Sequence, residues 1–152
     1  MITKIYIKMC RKAKEIQKLW VPGLGDICIN KVDNKEVMVI ASRGKIADKE
    51  YKFVYLEIGG KEQPDYWHKK DKLILLPTQR QLQEMMMPIL GDDFIGCAPL
   101  ILNERLRESL FSNGIYNWGK SYNELWLTFV MKEKYNKIWD RGNWQIKEDK
   151  VG

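Results

Sequence analysis

The side chains that could do chemistry are few and scattered. The chain has one histidine, His68, inside DYWHKKD, so a zinc site with two histidines is excluded. Cys10, Cys28 and Cys97 are widely spaced with no C-x-x-C, and a structural zinc is not expected. His68 reads first as an exposed loop histidine and second as a general base. Asp92-Asp93 could help hold magnesium, but metal sites draw carboxylates from separated positions, and an adjacent pair more often serves a loop or a cap. Gly23-Leu24-Gly25 lacks the third glycine of a dinucleotide fingerprint and follows a helix instead of a strand. Glu104 and Glu108 share a helical face at i, i+4, but Arg105 and Arg107 beside them make ordinary surface charge. No nucleophile, base and oxyanion-hole set has recognisable spacing. The chain therefore reads as no enzyme, with no cofactor and no metal. His68, Asp92 and Asp93 are the residues on which a small hydrolase or nuclease would have to rest.

Binding chemistry is better represented. Tyr66, Trp67 and His68 stand next to Lys69, Lys70 and Lys72, and this interleaving of flat rings with cations suits stacking on unpaired bases with phosphate neutralisation. Tyr116 and Trp118 lie in a Gly- and Asn-containing loop (IYNWGK), and Trp139 and Trp144 read as rings that close the edge of the core. Near the N-terminus, Lys4, Lys8, Arg11, Lys12, Lys14 and Lys18 coat a segment whose apolar residues recur at helical spacing. Such a basic amphipathic helix can lie on a phosphate backbone, an anionic membrane or a partner groove, or can be a hydrated surface helix. Its apolar stripe is weak for a membrane helix.

These residues are carried by a chain of 152 residues, the size of one domain, with 45% apolar and 11% aromatic content, enough for a core. Against 26 basic residues stand 20 acidic ones, a formal charge of +6 that permits an anionic partner without requiring one. No apolar run approaches the roughly 20 residues of a membrane span, and the N-terminus carries charges where a signal peptide needs its apolar segment. With an odd number of dispersed cysteines, the expectation is a soluble intracellular protein with reduced thiols.

Periodicity predicts the elements. Ile5, Met9, Ala13, Ile16 and Trp20 form one stripe of a helix from Thr3 to Leu19, closed by Pro22 and Gly23. Strands follow at Asp26–Val32, Lys35–Ala41 after an Asp33-Asn34 turn, Tyr51–Ile58, and Lys72–Leu76, the last apolar enough to be central. Thr78 and Gln81 have capping-box spacing and open a helix over Gln79–Met87, which Pro88 ends. Met85, Met86 and Met87 cannot share one face, so at least one is half exposed. Asn103 caps a helix from Glu104 to about Phe111, with Leu106, Leu110 and Phe111 inward. Ser121 and Glu124 form a second capping box, opening a helix that is apolar almost all round at Leu125, Trp126, Leu127, Phe129, Val130 and Met131. It re-emerges into water from Lys132 and ends near Asp140-Arg141-Gly142.

Three motifs carry a resemblance: KAKEIQ-x-x-W-x-P-x-x-GD at Lys12 to Asp26, LPTQRQLQEM at Leu76 to Met85, and ELWLTFVMKEKYNKIWD…W at Glu124 to Trp144. In this order they look like those of small uncharacterised proteins of phages and prophages of Gram-positive bacteria (Firmicutes). The resemblance implies an accessory protein in the bacterial cytoplasm that works by binding, as a modulator of nucleoprotein machinery or an antagonist of host defence. Its motifs fall on core and cap positions and carry over no functional residue.

The expectation is a single α+β domain over residues 1–152: an antiparallel sheet or small partly closed barrel packed against a central buried helix, with the N-terminal amphipathic basic helix on its flank. The first functional reading is a non-enzymatic phage accessory protein that binds a host or phage protein through Tyr66, Trp67, Lys69, Lys70, Lys72, Tyr116 and Trp118. The alternative is a nucleic-acid-binding module using the basic helix and the Tyr66–Lys72 segment.

Overall fold

In a computed structural model the structure describes residues 2–46, 50–58, 68–90, 104, 106–108 and 121–147. The chain is α+β, with helices and antiparallel sheets that do not close into a barrel. It divides into two compact units: Met1–Lys12 with Pro77–Gly152, and the continuous segment Ala13–Leu76. No described helix is long and apolar enough to cross a membrane.

The N-terminal helix expected as one piece is two, α1 (Lys4–Lys12) and α2 (Lys14–Leu19). The break is Ala13, whose φ of −79° and ψ of 69° lie outside the helical region. The inward residues are Tyr6, Met9 and Cys10 on α1 and Ile16 on α2, while Ile5 is 57% exposed and leaves the predicted stripe.

In the first unit the Ser121 helix is α4, Tyr122–Tyr135 (after α3, Gln79–Leu90). Trp126, Leu127, Thr128, Phe129, Val130 and Met131 are all buried, as an all-round apolar helix requires. The Ser121 hydroxyl accepts from the Glu124 amide at 3.2 Å, which is half of the predicted box. The other half is replaced. The Glu124 side chain is buried and accepts from the Thr3 hydroxyl, and that hydroxyl also receives the Tyr6 amide at 3.0 Å. Thr3 thus caps α1 while bonded to α4. The helix stops at Tyr135, earlier than predicted, because Asn136 takes the left-handed conformation (φ 53°) and its amide closes on the carbonyls of Met131 and Lys132. The residues beyond form a hairpin of β6 (Lys137–Asp140) and β7 (Asn143–Ile146). Arg141 (φ 47°) and Gly142 (φ 80°) are its two turn residues, both at the positive φ that matches strand twist. Both α1 and α3 pack on α4, and α1 also packs on β7. The Thr78–Gln81 box at the start of α3 is complete, with the Thr78 amide donating to Gln81 Oε1 and the Gln81 amide to Thr78 Oγ1. The helix runs past Pro88 to Leu90, since a proline forfeits one amide bond without forbidding two more helical residues. Met86 is buried, with Met85 and Met87 half-buried. Residues 104 and 106–108 are helical, with Leu106 buried.

The second unit holds α2 and a five-stranded sheet of β1 (Ile27–Asn30), β2 (Glu36–Ile46), β3 (Glu50–Glu57), β4 (His68–Lys69) and β5 (Leu73–Leu75). The order is β4-β3-β2-β1-β5, with every neighbouring pair antiparallel. The β1–β2 turn is built by Asn30 and Asp33, whose side chains accept the amides of Val32 and Lys35, with Asn34 at φ 58°. The strand expected to be central, β5, lies at an edge. Its three leucine and isoleucine residues are nonetheless buried, and Gln17 covers its outer side: Oε1 accepts from the Leu75 amide at 2.9 Å and Nε2 donates to the Leu75 carbonyl at 3.0 Å. A side chain from α2 thus takes the place of a sixth strand.

Candidate functional site

Three arrangements merit description, two in the second unit and one in the first. The loop between α2 and β1 is held from within. Trp20, 7% exposed, donates its indole N–H to Asp26 Oδ2 at 2.7 Å, and the Gly23 amide donates to the same oxygen at 2.8 Å. Asp26 and Gly25 are tied in turn to β2, through Val39 N to Asp26 O at 2.9 Å and Gly25 N to Val39 O at 2.8 Å. Pro22 is buried, and Gly25 sits at φ 84°. These anchors leave Leu19, Val21 and Leu24 facing water at 65%, 54% and 74% exposure. Three large aliphatic side chains within six residues are thus displayed by a braced loop. Sequence reasoning treated this stretch as a helix stop. The available signal was the alternation of apolar residues through a Pro-Gly turn next to an aspartate.

Beside this loop the structure joins two of the predicted basic segments. The Lys70 ammonium donates to the Lys18 carbonyl at 3.1 Å and lies 5.7 Å from the Trp20 ring centroid. Partial burial lowers its pKa below the ordinary lysine value. Lys70 and Lys72 bound a single 3-10 turn, and Lys14, Lys18, Lys69 and Lys72 are exposed. Lys31, also exposed, donates its backbone amide to the Lys72 carbonyl at 3.0 Å. Lys70 is therefore a brace against α2 more than a free contact.

In the first unit, Lys4, Lys8, Arg11 and Lys12 are exposed on α1. Lys12 donates to the Gly142 carbonyl at 2.9 Å and to Asn143 Oδ1, and the Trp144 indole donates to the Met9 carbonyl at 3.0 Å. Trp139 and Trp144, both half-buried, meet edge to face across the hairpin with centroids 5.0 Å apart.

Tyr66, Trp67, Tyr116, Trp118, Asp92, Asp93 and Cys97 lie outside the described residues. His68 pairs through its backbone with Phe53 on β3 and is therefore in a strand, not a loop. Among the described residues no group of three or more His, Cys, Asp or Glu is placed to hold a metal ion. Cys10 and Cys28 are buried, and that burial pushes up the pKa of both thiols. Comparison with protein-family models, curated proteins and solved structures finds no match.

Proposed function

We propose that this protein is a non-enzymatic accessory protein that acts by binding another protein through the braced loop of residues 19–24. The observation that carries this reading is the contrast within the loop. Trp20, Pro22 and Asp26 are spent on fixing the backbone, while Leu19, Val21 and Leu24 are left in water. Aliphatic side chains held rigidly before contact lose little entropy on association, so their burial is available to affinity. The motif resemblance supports a phage or prophage setting in the bacterial cytoplasm, with a host or phage protein as partner.

The test is affinity capture of the full chain from nuclease-treated host extract, alongside a variant carrying Leu19→Ser, Val21→Ser and Leu24→Ser. A protein that co-purifies with the wild type and is lost with the triple variant, at unchanged thermal stability, supports the reading. A partner retained equally by both, or none after nuclease treatment, overturns it.

A further inference from the structure

We infer that the exposed face of α1, together with the β6–β7 turn, is a contact for the phosphate backbone of nucleic acid, a function separate from the aliphatic loop. The helix KIYIKMCRK carries four cations and no acid. Lys4, Lys8 and Lys12 follow one another at i, i+4, about 6 Å apart along the axis. Like charges at this spacing weaken an isolated helix, so the row is kept against a local cost.

The turn adds to the row. Lys12 reaches the Gly142 carbonyl, and Lys8 lies over the same glycine, its ammonium 2.7 Å from where a Cβ would stand. Two ammonium groups thus converge on one turn, where the oxygens that Lys12 bonds, a carbonyl and a side-chain amide, are both neutral. An anion placed there meets both. The Trp144–Met9 bond holds the hairpin to α1, so the turn stays beside the helix without a partner.

Other polyanion modes fit less well. The apolar side of α1, Tyr6, Met9 and Cys10, is buried, and the exposed Ile5 alone is no face to enter a lipid surface. Trp139 and Trp144 are engaged with each other and Trp144 with Met9, so the rings offer no platform for stacked bases. What remains is a run of cations on one helix face, suited to a polymer of closely spaced negative charge. Asp140 stands 4.0 Å from Arg141, and Arg11 has an interaction of its own, so both arginines are left out of the count below.

The experiment is fluorescence anisotropy of the full chain with a labelled duplex of about 20 base pairs across about 50 to 200 mM salt. Three phosphate contacts, from Lys4, Lys8 and Lys12, release about 0.9 counterion each, so affinity is expected to fall roughly fortyfold over that range. Lys4→Gln with Lys8→Gln should flatten the logarithmic salt slope by about two, while Arg80→Gln with Lys134→Gln, an equal loss of exposed charge in the same unit, should leave it. Lys12 is kept because it braces the turn. Thermal melting checks folding, and if the Lys4/Lys8 variant does not fold, the wild-type slope and competition decide. No binding at the lowest salt, a slope shallower than about two, or equal effects of both double variants overturns the proposal. Competition by polyglutamate as effective as by unlabelled duplex also overturns it, in favour of an acidic protein.

Discussion

The side-chain amide of Gln17 holds both backbone groups of Leu75, accepting its N–H at 2.9 Å and donating to its C=O at 3.0 Å. A strand edge is a template for pairing with other chains, and here one residue occupies the position where that pairing would begin. Leu75 is almost fully buried, so the pair it forms with Gln17 cannot be handed to water.

Replacing Gln17 by Leu removes partners from two buried backbone groups at once. Each such group costs about 1–3 kcal/mol when left unmade, so Gln17→Leu should destabilise by about 2 kcal/mol or more. Urea unfolding measures this, and light scattering should show more self-association than in the wild type.

The Thr3–Glu124 bond joins residues 121 positions apart. Thr3→Val keeps the shape but strips a donor from a buried carboxylate and uncaps α1, for an expected loss of about 2 kcal/mol. Ser121→Ala removes only a cap and should cost about 1 kcal/mol. Equal losses for the two variants would mean that the Glu124 carboxylate finds another partner.

Gly142 and Gly25 both sit at positive φ, 80° and 84°. Alanine at either pays a left-handed penalty of about 1–2 kcal/mol. At Gly25 nothing lies within 4 Å of the added methyl, whereas at Gly142 it meets the Lys8 ammonium, the end of a flexible chain. The two losses should agree within about 0.5 kcal/mol. A much larger loss for Gly142→Ala, measured by thermal unfolding, would show Lys8 to be fixed in place.

Asp26→Ala frees the indole of Trp20 and the amide of Gly23 together. Hydrogen bonds to a charged acceptor are worth about 1.5–3 kcal/mol, so the loop should loosen with a comparable loss of stability. Partner capture should weaken although Leu19, Val21 and Leu24 are unchanged.

Stability should fall in alkali. Burial raises the pKa of the Cys10 and Cys28 thiols and of the Tyr6 phenol, the last also through Cys10 and Glu124. In the unfolded chain thiols ionise near about 8.5 and phenols near about 10. The folded state then keeps protons that the unfolded state sheds, so stability is complete below about pH 8.5 and declines above it. Urea midpoints from pH 7 upward test the trend. Cys10→Ala with Cys28→Ala should delay the decline toward pH 10, and neither thiol should react with a disulfide reagent at pH 8 until the chain unfolds.

Helix interiors and caps were legible where chemistry is local. Ser121, the Thr78–Gln81 box and the all-round apolar run from Trp126 to Met131 each follow from a few adjacent residues. Misreadings arose where distant partners decide. Glu124 has capping-box spacing, yet its carboxylate goes to Thr3. The segment after Tyr135 keeps helical composition, but Asn136 and the Arg141-Gly142 turn convert it to a hairpin. Leu73–Leu75 is apolar enough for a central strand because Gln17, far away in sequence, closes its edge. At the candidate site, lysines were visible as residue types, while the exposure of Leu19, Val21 and Leu24 depends on Asp26 and β2 bracing the loop between them.

The bond from Trp144 to Met9 spans 135 positions, and it sets an order of events at the ribosome. The segment Ala13–Leu76 is continuous and has all its strands soon after they emerge. Helix α1 emerges before the other described elements but must wait for α4 and β7 before Tyr6, Met9 and Cys10 have their cover. At about 5–20 residues per second, that wait is roughly 7 to 27 seconds. During it the helix is made but not yet seated, and it is then that nascent-chain chaperones would meet its apolar side.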